Sequence, residues 1–176
     1  MSKSKGNGGE REVARLLADW WPERELDDGR RVVFVRTPLS GGWAYGAEFK
    51  TKGDITTNAP RFPFCVEVKR HEGWSLARLL KSKPSPVWKF WRQCQRDARV
   101  AKAEPMLWVR QNRKPWLVMV RARAVKLAGL PAPQVTFADN LARLVDCQAQ
   151  PVMYLGEELL RVNATQVMER LYTCLG

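Results

Sequence analysis

The sequence predicts one α/β domain in which a mixed, twisted sheet of about five strands is flanked by two helices. Three observations support this prediction. Apolar residues recur at helical spacing near the N-terminus, short β-branched and alternating runs follow them, and a second long helical segment divides these runs into two groups. A chain of 176 residues can bury roughly 70% of its unfolded surface, so its core needs neither disulfides nor a structural metal.

The N-terminal half contains one predicted helix and three predicted strands. The helix begins at Glu10 and ends before Pro22, and Glu10 lies on the same side as the apolar Val13 and Leu17. The segment from Thr37 to Gly53 is rich in glycine, lacks periodicity and is predicted to be a loop. The three strands are predicted at Arg31–Arg36, Gly53–Thr56 and Phe64–Lys69.

The second half begins with a long predicted helix, Val87–Ala103, which Pro105 ends. Strands at Met106–Arg110 and Trp116–Arg121 then enclose a short polar stretch and predict a hairpin. We therefore divide the chain into a core, residues 1–123, and a C-terminal extension, residues 124–176, that supplies an oligomer contact or covers the sheet. The extension is predicted to contain a short helix ending at Gly129, a helix at Phe137–Cys147, a strand at Val152–Leu155 and a helix from Ala164.

Several classes of protein are excluded by composition. No apolar run approaches the ~20 residues that span a bilayer, and the first residues lack the apolar stretch of a signal peptide, so a cytoplasmic protein is expected. The four cysteines form no CxxC pair and His71 is the only histidine, which excludes a zinc site of standard spacing. We expect the cysteines to be reduced and mostly buried.

The positive charge is concentrated in one segment. Residues 81–123 contain 12 basic and 2 acidic side chains, and the net charge of the whole chain is +12. This clustering favours a nucleic-acid partner over a merely solvated basic surface. If about 6–8 of the basic residues contact phosphates, the log–log slope of affinity against salt is expected to be about −5 to −7. The candidate phosphate contacts are Lys3, Lys5, Arg36, Arg70, Lys81, Lys83, Lys89, Arg92, Arg96 and Arg99.

Three residues have the chemistry that phosphodiester hydrolysis requires. Asp54 opens one predicted strand, and Glu67 and Lys69 share one face of the next strand. If these two strands form a hairpin, the two carboxylates lie close together. Carboxylates and water are the ligands that Mg²⁺ prefers, and a neighbouring lysine can stabilise negative charge in the transition state. An E-x-K motif alone is weak evidence, because a salt pair on an ordinary strand has the same pattern.

The pattern Gly53-Asp54 … Glu67-Val68-Lys69 resembles the signature of PD-(D/E)XK nucleases. The segments SKGNGGEREVARLL, VVFVRTPLSGG, GDI, FCVEVKR and EPMLWVR, in this order, resemble archaeal-type Holliday-junction resolvases or phage-type relatives of these enzymes. The resemblance covers residues 3 to about 122. It implies a restriction-endonuclease-like core, a metal-dependent endonuclease of recombination or repair that cuts branched DNA, and a homodimer with paired sites.

The resemblance also implies roles for individual residues. Glu10, Asp54, Glu67 and the Val68 carbonyl would bind Mg²⁺, for which Mn²⁺ can substitute. Lys69 would assist the attacking water, and Ser40 would help to place the scissile phosphate. Glycine replaces the family's usual proline at position 53.

Several alternatives remain open from sequence. Glu10 could instead be a carboxylate stabilised by a helix N-terminus, and Ser40 could be a turn residue. Either Gln93 or Gln95 could support the lysine, or both could be solvated. Tryptophans of the basic segment could stack on bases or belong to the core. The whole protein could be a restriction- or repair-type duplex endonuclease, or a DNA-binding protein without activity.

Overall fold

The computed structural model describes residues 3–37, 52–81, 84–128, 130–136 and 150–175. They form a mixed α/β fold of the restriction-endonuclease-like type, with a mixed sheet flanked by helices, as predicted. The helices are α1 (Lys3–Trp20), α2 (Leu76–Leu80), α3 (Pro86–Val100), α4 (Ala122–Ala128), α5 (Gly156–Leu160) and α6 (Ala164–Leu175). The strands are β1 (Phe34–Arg36), β2 (Ile55–Thr57), β3 (Phe64–Arg70), β4 (Glu104–Arg110), β5 (Leu117–Arg121), β6 (Val135–Thr136) and β7 (Pro151–Leu155).

The first helix is longer than predicted, because it begins at Lys3 rather than at Glu10. Its first two turns contain glycine and asparagine, which have low helix propensity, so the local sequence does not reveal them. Tertiary packing provides part of the explanation. Gly9 is buried, and a Cβ placed on it would lie 3.4 Å from the Trp116 ring, so this turn of the helix packs closely against the hairpin.

The sheet has the strand order β1-β2-β3-β4-β5-β7-β6. The pair β3 and β4 is parallel, and every other pair in the described residues is antiparallel. A parallel pair needs a crossover connection, and α2 and α3 provide it. Ser85 caps α3 by accepting a hydrogen bond from the Val87 N–H, and Pro86 follows at the first helical position. The predicted hairpin of β4 and β5 is confirmed.

Among the described residues the sheet contains seven strands, compared with the predicted number of about five. Strand β7 pairs with β5 along its full length, and the two-residue strand β6 pairs with β7, so residues after 124 extend the sheet. The predicted strand Val152–Leu155 and the predicted helix from Ala164 correspond to β7 and α6. Two-residue β6 is too short to give a recognisable pattern. The helix predicted at Phe137–Cys147 lies outside the described residues.

Both faces of the sheet are buried. On one face, Val66, Met106 and Val118 pack against α1, α4 and α6. On the opposite face, Leu107 and Met119 pack against α2 and α3. This alternation follows from the two-residue period of the strands, and it places β3, β4 and β5 at the centre of the domain. Within the described ranges, none of the helices has the length and apolar character needed to cross a membrane.

Candidate active site

The C-terminal half of β3 presents its polar side chains to α3. Val66 and Val68 point to the α1 side of the sheet and are buried there. Glu67 points to the other side, where its Oε1 accepts a 2.6 Å hydrogen bond from the Gln93 side chain of α3. Glu67 is almost fully buried, with 2% of its side chain exposed, whereas Lys69 is 23% exposed. The strand therefore carries its glutamate inward and its lysine to the rim.

Asp54 meets this strand at the lysine. Lys69 Nζ donates a 2.9 Å hydrogen bond to Asp54 Oδ2 and also forms an ion pair with Glu67 Oε1. The Val68 N–H donates to the same Asp54 oxygen at 2.9 Å. Because both carboxylates contact one nitrogen, their contacting oxygens are no more than about 6 Å apart. The structure thus brings together Asp54, Glu67 and Lys69.

The backbone before Asp54 explains how the aspartate reaches β3. The Asp54 N–H donates a 2.7 Å hydrogen bond to the Val66 carbonyl. This approach requires a φ of +86° at Gly53, and a Cβ there would clash with the Val66 carbonyl oxygen and lie 3.1 Å from its carbon. Proline, whose φ is held near −65°, does not fit this conformation. The glycine that replaces the family's proline is therefore a structural requirement of this chain.

Burial changes the acid–base behaviour of the site. Burial, followed by repulsion from Asp54, raises the pKa of Glu67 to about 7, although the nearby Lys69 opposes this shift. Asp97 of α3 adds a smaller repulsion. For Lys69, burial alone would lower the pKa, but attraction by Asp54 and Glu67 is stronger and raises it. Lys69 is therefore charged at neutral pH, and Glu67 titrates near neutrality in the metal-free protein.

The raised pKa of Glu67 predicts a pH dependence of stability. The pKa of Glu67 in the folded chain, about 7, exceeds its ordinary value of 4.5, so the folded chain binds more protons than the unfolded chain between these pH values. The Glu67 contribution to the free energy of unfolding is therefore largest below about pH 4.5 and is lost as pH rises through about 7. Urea unfolding in EDTA at several pH values should show this loss in the wild type and not in Glu67→Gln. Parallel pH profiles for the two proteins would contradict the prediction.

Glu10 lies apart from the two converging carboxylates. It faces inward, as predicted, but its carboxylate accepts a hydrogen bond from Arg36 and forms an ion pair with it. The alternative of a helix N-terminal carboxylate is wrong, because α1 begins seven residues earlier. Arg36 is in β1, which pairs with β2, and the Thr37 N–H donates to the Asp54 carbonyl. The Glu10–Arg36 pair is thus next to the segment that carries Asp54.

The donor set of Asp54 and Glu67 fits a hard divalent cation. Mg²⁺ is commonly held by one or two carboxylates, and water and substrate phosphates complete its coordination. In the parts of the chain that the structure describes, no group of three His, Cys, Asp or Glu side chains converges on one point. Asp54 and Glu67 supply two of the carboxylates that the resemblance assigns to the metal, and the Val68 carbonyl is the backbone ligand that it implies.

Gln93 is the glutamine that reaches the site, which resolves the choice left open by the sequence. Its side-chain amide holds Glu67, as described above, whereas no hydrogen bond or ion pair occupies the Gln95 side chain among the described residues. The rotation of α3 about its axis explains the difference. Gln93 is one residue before Cys94, whose thiol faces β3 and donates to the Cys65 carbonyl.

Cys65 and Cys94 are free and buried, as expected, and the side chains of the other two cysteines are not described.

The candidate phosphate contacts fall into three groups. Those on α3, namely Lys89, Arg92, Arg96 and Arg99, are exposed, as are Arg70 and Lys81. Arg36 is engaged by Glu10. The side chains of Lys3 and Lys5 are not described, and Lys83 and Ser40 lie outside the described residues. The exposed helix residues recur at intervals of three and four, so they form one stripe along α3.

The tryptophans of the basic segment belong to the core. Trp91, Trp108 and Trp116 are each less than 10% exposed, and Trp88 packs against the cluster beneath α3. The interpretation that these three buried rings stack on bases is therefore wrong. A polar group on the opposite face was not predicted: the Glu12 carboxylate accepts hydrogen bonds from Trp116 Nε1 and from Arg110. Residues so distant in sequence give no local signal of such contacts.

Two comparisons with known proteins give matches. A family model described as "Phage putative PDDEXK endonuclease" matches residues 1–146. The chain is also similar to "Protein D14" of Escherichia phage T5, with 29% identity over 121 residues, which are 66% of this chain and 69% of the phage protein. No solved structure matches significantly.

Proposed function

Since the chain belongs to the family described as "Phage putative PDDEXK endonuclease", we propose that it is a Mg²⁺-dependent DNA endonuclease with Asp54, Glu67 and Lys69 at its centre. One observation carries the proposal: the carboxylate of Glu67 in β3 and that of Asp54, the residue before β2, converge on Lys69 near the end of β3. In an ordinary sheet a buried glutamate is costly unless it is paired. Here the buried Glu67 is grouped with Lys69 and Asp54, whose side chains are 23% and 25% exposed. Such a group, buried on one side and open to solvent on the other, is better explained by catalysis.

Each residue has a defined task in this proposal. A bound Mg²⁺ would polarise the phosphoryl oxygens and lower the pKa of the attacking water, and Mn²⁺ would serve as well. Asp54, Glu67 and the Val68 carbonyl would hold the cation. Gln93 fixes the orientation of the Glu67 carboxylate. The ammonium group of Lys69 orients the water and offsets the negative charge that develops on the phosphate.

Glu10 and Ser40 complete the proposed site. Glu10, which the resemblance assigns to the metal, is a third acidic group at its edge and is paired with Arg36. Arg36 can then exchange this carboxylate for a DNA phosphate, which binds a guanidinium equally well. Ser40 contributes to the placement of the scissile phosphate, and this role rests on the resemblance alone.

The basic stripe of α3 gives the proposed path of the DNA backbone. At 100° per residue, Lys89 and Arg96 lie within about 60° of Gln93 on the helix surface, whereas Arg92 and Arg99 lie at least about 100° away. Because Gln93 contacts Glu67, Lys89 and Arg96 are at the rim of the acidic pair. We assign these two to the phosphates next to the cut and the outer pair to more distant phosphates, together with Arg70, Lys81, Lys83, Lys3 and Lys5.

The preferred substrate in this proposal is branched DNA, such as a Holliday junction formed in recombination or repair. A symmetric junction requires two incisions, which a homodimer with two sites can make together. The support for this preference is the resemblance of residues 3 to about 122 to junction resolvases. The C-terminal extension, residues 124–176, is proposed as a source of the dimer contact or of sheet cover.

A comparison of substrates tests the proposal. We expect the protein with Mg²⁺ to cut a labelled four-way junction at least about tenfold faster than a linear duplex of the same sequence, which corresponds to about 1.4 kcal/mol. Initial rates at matched concentrations of the two DNAs measure this. Equal rates would identify a duplex endonuclease and contradict the preference for branches. Failure to cut either DNA with Mg²⁺ or Mn²⁺ would contradict the proposed activity and leave a DNA-binding protein.

A further inference from the structure

We propose that the turn between β4 and β5, residues 111–115, is a second DNA-contact element that binds a backbone phosphate through Arg113, beside Lys114. This inference deepens the proposed function, and rests on it, by adding a contact outside the α3 stripe. It is carried by the position of the turn, by its attachment to the end of β3, and by the exposure and charge of its tip.

The register of the sheet places this turn at the active-site end. Lys69 is the β3 partner of Val109, and Arg70 is the partner of Arg110, in the parallel pair of β3 and β4. The turn therefore begins two residues after Val109, the β4 residue that lies beside Lys69. Neighbouring strands are about 4.8 Å apart, so a nucleic-acid strand whose phosphate lies at Lys69 passes close to the turn.

Hydrogen bonds attach the turn to the end of β3 and to the segment that follows it. The Asn112 side chain accepts from Arg70 Nε at 2.8 Å, and the Asn112 N–H donates to Glu72 at 2.6 Å. The Gln111 side chain donates to the Trp74 carbonyl at 2.8 Å. Three hydrogen bonds thus tie the turn to Arg70, Glu72 and Trp74. Their effect is to hold the tip in one position relative to Lys69, which lowers the entropic cost of binding.

The tip itself is built to expose positive charge. Arg113 adopts a φ of +60°, a left-handed conformation that is uncommon for residues other than glycine and asparagine. Both Arg113 and Lys114 are exposed. Among the described residues, no hydrogen bond or ion pair occupies either side chain. The tip therefore presents two exposed cations to solvent, and the position of the turn distinguishes them from other exposed cations of the chain.

DNA phosphate is the ligand that this chemistry favours. A guanidinium binds phosphate oxygens in a bidentate geometry, and the turn lies beside a site that is proposed to act on a phosphodiester. An acidic protein would also be attracted to a basic tip, but nothing in the position of the turn, close to the level of Lys69, would require such a partner there. We therefore assign Arg113 to a phosphate on the DNA strand that passes the active site.

Lys102 provides a matched control for the test. It is exposed and has a φ of +51°, but it precedes β4 and so lies at the opposite end of the same strand. Glycine accepts positive φ without strain, so Arg113→Gly and Lys102→Gly each remove one charge while they keep the backbone. Junction binding is measured by fluorescence anisotropy in EDTA over a series of salt concentrations, after thermal melting confirms that both variants fold.

We expect Arg113→Gly to weaken binding several-fold and to reduce the log–log salt slope by about 1, as the loss of one phosphate contact does. Lys102→Gly should change the slope much less, and Arg113→Lys should restore most of the lost slope. Equal effects of the two glycine variants, or no effect of Arg113→Gly, would overturn the assignment. Because no metal is present, the result does not depend on cleavage, and a protein that never cuts would contradict the proposed function instead.

Discussion

Replacing Gly53 with alanine is expected to lower the free energy of unfolding by about 3 kcal/mol and to disrupt the active site. The left-handed φ of +86° alone costs an alanine about 1 kcal/mol. In addition, the new Cβ would overlap the Val66 carbonyl oxygen, which is backbone and cannot rotate away. Relief of this clash requires β2 and β3 to separate, and backbone shifts of this kind cost a further ~1–3 kcal/mol. Urea unfolding of the two proteins measures the difference.

Gly73 is the matched control for this substitution. Its φ of +81° is nearly the same, but a Cβ placed on Gly73 would meet no atom within 4 Å. Gly73→Ala should therefore lower the free energy of unfolding by about 1 kcal/mol only. A similar loss in both variants would show that conformational strain is the whole effect and that the close approach of Gly53 to β3 is not needed.

The sequence predicted the order and type of the central elements because their patterns are local. Alternation in Phe64–Lys69 and helical spacing in Val87–Ala103 come from the geometry of single elements, and both are confirmed as β3 and α3. The first turns of α1 could not be predicted in this way. Their glycines disfavour a helix, and the packing of Gly9 against Trp116 is a contact between residues far apart in the chain.

In the candidate site, too, contacts between neighbouring strands were predicted, whereas contacts that depend on how the helices pack were not. That Asp54 and Glu67 would approach one another was inferred from two neighbouring strands, and the contacts through Lys69 agree with it. The choice between Gln93 and Gln95 could not be made from sequence, because it depends on the rotation of α3 about its axis above β3. The ion pair of Glu10 with Arg36 was also not predictable, since it requires the position of α1 relative to β1.

Substitution of either carboxylate should abolish cleavage. We expect Asp54→Asn and Glu67→Gln each to lower the rate by about 10³-fold or more, because each removes a charged oxygen that is proposed to hold the cation. Both changes keep the shape of the side chain, and the amide oxygen introduced by Asp54→Asn can still accept from the Val68 N–H. DNA affinity should be equal or higher, since a negative charge is removed from the DNA-facing surface.

Asp97→Asn is the control for a general effect of charge. Asp97 is close enough to Glu67 to contribute to its raised pKa, but among the described residues the ion pairs of Lys69 are with Asp54 and Glu67 and not with Asp97. This variant should retain cleavage within a few-fold of the wild type. Loss of activity in Asp97→Asn comparable to that in Glu67→Gln would indicate that the local field, rather than two specific ligands, is what the reaction needs.

The most direct measurement is single-turnover cleavage of a labelled four-way junction by the wild type and Glu67→Gln, with Mg²⁺ added to protein–DNA complexes already formed in EDTA. Saturation with protein separates binding from chemistry. We predict that both proteins bind, that Mg²⁺ in excess of EDTA starts cleavage by the wild type, and that Glu67→Gln remains inactive at every Mg²⁺ concentration. Cleavage by Glu67→Gln at a rate near that of the wild type would contradict the proposal that Glu67 is needed to hold the cation.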